Sequence, residues 1–188
     1  MIYVFIYFAI YLIYSLILKL FFMYKRRAFV VILAIFFSFP SYSQIELKNQ
    51  KSENHQLILG TGVSMVPPPN FSATGIPGFV FPTAQAAIFV SEIPEGKFSN
   101  IESELEEFIG DNRLIGQVED VLINKFQGKF FTTEEIRDGD PFTNHNLFFG
   151  NEEFVYMVLG ICPSDHPGII ESIKDSIFSI VYEPEAVE

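Results

Sequence analysis

Phe154-Val-Tyr-Met-Val-Leu159 carries an apolar side chain at every position. Neighbouring side chains of a strand point to opposite faces, so a strand with one wet face shows alternation. This one does not, and it reads as a central strand covered on both sides. Three further strand-like runs precede it: Gln117 to Ile123, Lys129 to Arg137 and Pro141 to Phe149. The fourth run, Glu153 to Ile161, contains the hexapeptide itself. Between them lie turn signals at Lys125-Phe-Gln-Gly128, Asp138-Gly139 and Gly150-Asn151, of which Asp138-Gly139 is a two-residue hairpin pair. Downstream, Ser164 or Asp165 can cap a helix and Pro167 fits its first turn. Ile169, Ile170, Ile173, Ile177 and Phe178 form that helix's buried face. Val181-Tyr182 extends beyond it, and Pro184 ends the segment.

Moving upstream, Ser99-Asn-Ile-Glu102 has the spacing of a capping box. Ile101, Leu105, Phe108 and Ile109 then recur at helical spacing, with Glu102, Glu104, Glu106 and Glu107 on the solvent side. Clustered carboxylates can hold a metal or form an acid–base pair. These lie in the first turns, where the helix dipole favours negative charge, and the structural reading is preferred. Ala86-Ala-Ile-Phe-Val90, between Pro82 and Pro94, reads as a strand buried on both faces. Ser72 to Pro82 mixes Gly, Pro and aromatics and reads as a structured loop held down by Phe79 and Phe81. Gly62-Val-Ser-Met-Val-Pro-Pro-Pro-Asn-Phe71 reads as the first strand of the sheet. Its three prolines end it, because Pro has no N–H for a ladder. Gln44 to Gln56 is polar and reads as a flexible lead-in, with His55 in solvent.

The first 43 residues have a different character, with four basic residues and no acidic one. From Met23 the order is a basic Lys25-Arg-Arg27, an apolar Ala28 to Phe39, a breaker at Pro40, and small residues Ser41 and Ser43. That is the layout of a signal peptide cut between Ser43 and Gln44. The ending Ser-Tyr-Ser-Gln resembles those of exported proteins of the Bacteroidetes group. Met1 to Leu18 is a further uncharged run, at the length of a membrane span. Either translation begins at Met23, the preferred reading, or an extra span precedes the signal. The expected organisation is therefore 1–22 hydrophobic extension, 23–43 signal peptide, 44–56 lead-in, 57–183 folded domain and 184–188 tail. The expected location is exported, periplasmic or secreted, with a membrane tether through residues 1–39 if they stay uncleaved.

After residue 43 there are eight basic and 23 acidic residues, a net charge of −15. Nucleic acid and anionic membranes both require Lys/Arg clusters, so neither is an expected partner. Cys162 is the lone cysteine, which leaves no intrachain disulfide, and its place at the end of an apolar run makes it a buried thiol. His166 lies four residues away, but a Cys/His nucleophilic pair needs an exposed, activated thiol. Gly60-Thr-Gly62 precedes a strand, the wrong topology for a phosphate loop. Glu134, Glu135, Asp138 and Asp140 lack calcium-loop spacing and read as turn chemistry. His145, flanked by Asn144 and Asn146, reads as a satisfied strand histidine. No catalytic residue, metal or cofactor is expected.

The element order, together with Gly-Val-Ser-Met-Val-Pro-Pro (62–68), Ile-Phe-Val-Ser-Glu-Ile-Pro94, Leu-Phe-Phe-Gly-Asn151 and Ser-Ile-Phe-Ser-Ile-Val-Tyr182, resembles the PsbP-like family over about residues 57–183. That fold is shared by the extrinsic PsbP protein of photosystem II, a Ran-binding nuclear import factor and many exported bacterial proteins without assigned activity. The resemblance is to the last group. It implies an α/β (α+β) class, a three-layer α/β/α sandwich with a central, largely antiparallel sheet, and action by binding proteins. The expected function is an exported, non-catalytic binding or accessory domain whose partner is another protein of the cell envelope. Phe71, Phe79, Phe81 and Phe98 are its candidate binding rim. The alternatives are a secreted hydrolase with a cleft near His145 and the Glu134–Asp140 acids, and a membrane-tethered envelope subunit.

Overall fold

The four strand-like runs form one antiparallel meander in the computed structural model, which describes residues 44–183. In chain order the elements are β1 (Ile45–Leu47), β2 (Gln56–Leu57), β3 (Val63–Met65), β4 (Ser72–Ala73), β5 (Gly78–Phe81), β6 (Ala86–Ile93), α1 (Phe98–Ile109), β7 (Arg113–Ile123), β8 (Phe126–Arg137), β9 (Asp140–Gly150), β10 (Val155–Pro163), α2 (Pro167–Phe178) and β11 (Val181–Tyr182). The large sheet has the order β1-β7-β8-β9-β10-β6-β5-β4, and a small one has the order β11-β3-β2. Within the large sheet the β1–β7 pair is parallel and the other pairs are antiparallel. The class is α+β. Residues 1–43 lie outside the described residues, and with them the signal-peptide and extra-span readings. Among the described residues no helix is long and apolar enough to cross a membrane.

Turn chemistry sets the register. Arg137 faces Asp140 across Asp138-Gly139, whose φ values of 53° and 96° are the left-handed pair that a two-residue hairpin requires. The β9–β10 turn is closed by Asn151, whose Oδ1 accepts the N–H groups of Glu153 and Phe154 at 2.8 and 3.1 Å.

Strand alternation then sorts the aromatic residues. Phe130 and Phe131 are neighbours in β8, so they point to opposite faces. Phe131, Phe148 and Val155 pack with Ile101 and Leu105 of α1, and Phe108 sits 4.5 Å from the Phe148 ring. Phe130, Leu147, Phe149 and Val158 pack with Ile173 and Ile177 of α2, and Phe178 meets Phe130 edge-on at 4.8 Å. Each fully buried Ile or Phe stabilises the fold by about 1.5–3 kcal/mol relative to exposure. Gly160 lets α2 come close: a Cβ there would lie 2.2 Å from the Ile173 Cγ2.

The segment before β3 is ordered rather than a loose lead-in. β1 pairs with Val121–Ile123, beginning one residue after Gln44. Asn49 Nδ2 donates to the carbonyls of Phe178 and Ile180 at 2.7 and 2.8 Å, and His55 Nε2 lies 2.9 Å from the Ser179 carbonyl. Carbonyls at a helix C-terminus have no partner within the helix, and this segment supplies them. His55 is therefore a structural contact, not a solvated tail residue.

Five other expectations change. Gly62–Val66 is not a strand of the large sheet. Its prolines limit β3 to three residues, and the strands on either side of β3 are β2 and β11. The first hairpin turns at Asn124-Lys125, with Asn124 at φ 55°, rather than at 125–128. Gly128 sits inside β8, where the Phe148 carbonyl would lie 3.0 Å from a Cβ. The Ser72–Pro82 loop contains the β4–β5 hairpin. The capping box does not form either: Lys97 is the N-cap of α1 and makes no side-chain cap. Instead Glu152, from the β9–β10 turn, accepts the Ser99 N–H at 3.1 Å and the Ser99 hydroxyl at 2.9 Å. Likewise His166, not Ser164 or Asp165, is the N-cap of α2, with Pro167 in the first turn as expected.

Candidate functional site

His145 is 5% exposed, on the β9 face that α2 covers. Its Nε2 lies 3.2 Å from the Ile170 carbonyl and its Nδ1 2.9 Å from the Thr132 hydroxyl. A carbonyl only accepts, so Nε2 carries the proton and Nδ1 accepts from Thr132. The ring stacks on Phe130 at 5.7 Å. Burial disfavours the imidazolium and lowers the pKa to about 4, with nearby Lys174 adding to the effect against the raising hydrogen bond of Ile170. Both ring nitrogens are used by the fold, and the ring is a packing element.

The acids proposed to share a cleft with His145 are not gathered around it. Glu134 pairs with Arg113 at 2.7 Å. Glu135 is on the opposite face of β8 from Thr132, bound to Arg137 and accepting Asn144 Nδ2 at 3.1 Å. Cys162 is buried, and burial pushes its thiol up to about 11, helped by the Asp165 charge. That leaves little thiolate for nucleophilic work.

The four rim phenylalanines separate. Phe79 is 1% exposed and belongs to the core. Phe71 and Phe81 are half-buried and contact each other at 5.7 Å, while Phe98 packs with the α1 cluster on the other face. Only Phe71 and Phe81 form a pair.

Two other features have the geometry of sites. The first is the outer edge of β7. β1 covers Val121–Ile123, and Arg113–Asp120 have no strand partner on that side among the described residues. Leu114, Ile115 and, on the neighbouring strand, Ile136 are 37%, 39% and 66% exposed. Gly116, at φ 81°, lies within the register shift between Ile115 and Glu119. The second is a cleft of about 310 Å³ at one end of the sheet. Its walls are Thr83, Ala84 and Gln85 from the β5–β6 turn, Asp140, Pro141 and Phe142 from the start of β9, and Pro163, Asp165 and His166 from the β10–α2 junction. The Ser164 N–H donates to the Pro141 carbonyl at 2.9 Å, and the Thr143 and Ser164 hydroxyls lie 2.8 Å apart, so two of the walls are tied together.

Sequence reasoning missed both. The cleft draws on three segments up to 83 residues apart, and no local pattern marks them as neighbours. The edge is exposed because of strand order, which no local pattern encodes.

No protein-family model matches this chain, and no curated protein matches it. Solved structures do. PA94 of Pseudomonas aeruginosa, a protein of unknown function, is 13% identical with a TM-score of 0.46, over 66% of this chain and 85% of its own. A protein of Bacteroides thetaiotaomicron is 17% identical at 0.47, over 71% and 50%. LpqN of Mycobacterium tuberculosis, involved in cell envelope biogenesis, is 10% identical at 0.45, over 76% and 90%. These are distant likenesses, and none transfers a function to this chain.

Proposed function

We propose that this protein is an exported, non-catalytic binding domain that acts by protein–protein contact at the open edge of β7. The reading of residues 23–43 as a signal peptide supports export, to the periplasm or the exterior, where the partner is another envelope protein. The arrangement of α1 and α2 supports the PsbP-like three-layer sandwich that the sequence resembles.

The observation that carries the reading is the unpaired stretch Arg113–Asp120 with aliphatic side chains exposed beside it. Free backbone N–H and C=O groups at a sheet edge accept an added strand. Main-chain hydrogen bonds then give affinity, and alternate side chains such as Leu114 and Ile115 give selectivity. The bulge at Gly116 blunts indiscriminate pairing, since a partner strand has to match its irregular register. The net charge of −15 after residue 43 favours a basic partner.

Affinity capture from the native envelope fraction tests this, with wild type alongside Leu114→Glu and Ile115→Lys. Both side chains are more than a third exposed, so the thermal midpoints should stay within about 4 °C of wild type, because surface changes cost little. The expected result is one partner retained by wild type and lost by both variants, with residues 113–119 newly protected from hydrogen exchange in the complex. Equal capture by all three proteins, or turnover in a substrate screen with no partner at any salt, refutes the reading.

A further inference from the structure

The cleft of about 310 Å³ at the end of the sheet is at the size where small-ligand pockets begin, and its chemistry is one-sided. Asp140 and Asp165 line it from two adjoining segments, the start of β9 and the β10–α2 junction, and among the described residues the lining includes no Lys or Arg. Neither carboxylate forms an ion pair with a Lys or Arg of the described residues. Asp165 has a charged neighbour in His166, at 3.8 Å, when that ring is protonated. The N-terminus of α2 opposes them with about half a positive charge. Two full negative charges outweigh it, and the site is anionic at neutral pH.

The remaining lining includes Pro141, Pro163 and the largely buried Phe142, with Thr83 and Gln85 as polar residues. Phe142 already takes a guanidinium against its ring, since Arg137 lies 5.3 Å from the centroid. Arg137 gives its charge to Glu135 and leaves the two aspartates unneutralised. The walls are set before any ligand arrives. Pro82 opens a short turn that ends on Gln85 in the left-handed conformation, at φ 52°, and the Ser164–Pro141 hydrogen bond holds the far side. A preformed site loses less entropy on binding.

We propose that this cleft binds a guanidinium or alkylammonium group, with Asp140 and Asp165 neutralising its charge and Phe142 packing on its flat or methylene surface. Carboxylates recognise guanidinium with two parallel hydrogen bonds, and an aromatic wall adds cation–π attraction. The group can arrive on a free small solute or on an Arg or Lys side chain of a protein. Ile136 of the edge patch pairs with Pro141 of the cleft, but no residue of β7 lines the cleft.

The test is an NMR titration of the isotope-labelled protein, in the form the cell exports, with N-acetyl-arginine methylamide, its neutral citrulline counterpart and an Arg-containing tripeptide. Saturable shifts should centre on residues 83–85, 140–142 and 163–166 for both arginine probes. The citrulline probe should bind at least about tenfold more weakly, because it lacks the charge. Asp140→Asn and Asp165→Asn, both at exposed positions, should each weaken the arginine probes, and Ile115→Lys should leave them unchanged. Tighter binding of the tripeptide assigns the site to a protein side chain, and equal or weaker binding assigns it to a free cation. Equal binding of citrulline, shifts centred elsewhere, or affinity unchanged in both aspartate variants overturns the proposal. The citrulline comparison needs no mutation, so it decides the matter even where a variant folds poorly.

Discussion

Acidification should destabilise this protein through one buried ring. His145 is held neutral between Thr132 and the Ile170 carbonyl, and its pKa falls from the ordinary 6.5 to about 4. An unfolded chain returns the ring to water and to its ordinary pKa. Between pH 6.5 and about 4 the unfolded state therefore binds more protons than the native state, and stability falls as pH falls. Above pH 6.5 both states hold a neutral ring and nothing is lost. Below about 4 both are protonated and the loss levels off. The full difference corresponds to about 3 kcal/mol, a large fraction of the stability of a domain this size. Urea unfolding at several pH values measures it, comparing wild type with His145→Gln. Glutamine keeps an N–H donor for the Ile170 carbonyl but carries no titrating group. The variant should be weaker than wild type at pH 7.5 by about 1–3 kcal/mol, through lost packing on Phe130 and an imperfect hydrogen bond. That gap should shrink steadily on acidification and close or reverse near pH 4. The carboxylates and the other histidines are common to both proteins and cancel in the comparison. A gap independent of pH, or an NMR midpoint for His145 at or above 6.5, would refute the assignment of the ring to the core.

Two further outcomes follow from packing. Gly160→Ala should cost about 1–3 kcal/mol in a urea melt, because the new methyl meets Ile173 at 2.2 Å and α2 must shift outward from β10. An unchanged midpoint would mean that α2 does not pack where described. Glu152→Ala should cost about 1 kcal/mol by removing the acceptor at the start of α1, while Glu102→Ala should cost much less. The reverse order would restore the local capping box.

Much of the element order was legible because it rests on local chemistry. The apolar hexapeptide 154–159, the Asp138-Gly139 pair and the isoleucine spacing in 169–177 each leave a local imprint that survives without knowledge of neighbours. The capping of α1 shows where that stops. Ser99 and Glu102 had the spacing of a capping box, yet Glu152, 53 residues from Ser99, takes the N-terminal N–H. A carboxylate brought in by the β9–β10 turn competes with the local one, and only the packed chain decides between them. The same holds for Phe79: among the aromatic residues of a Gly/Pro-rich segment, composition cannot tell a rim residue from a core residue.

By itself, the sequence determined the α+β class, the antiparallel meander, two amphipathic helices and the acidic character of the domain, because periodicity and turn preference act over a few residues. Tertiary structure alone decided that Gly62–Val66 joins a separate small sheet and that residues 45–47 pair beside β7 while leaving Arg113–Asp120 of its edge open. It also decided that Asp140, Asp165 and Phe142 meet across one cleft while His145 is sealed beneath α2. Those are consequences of strand order and helix placement, which bring distant residues together through burial and pairing that no local stretch records.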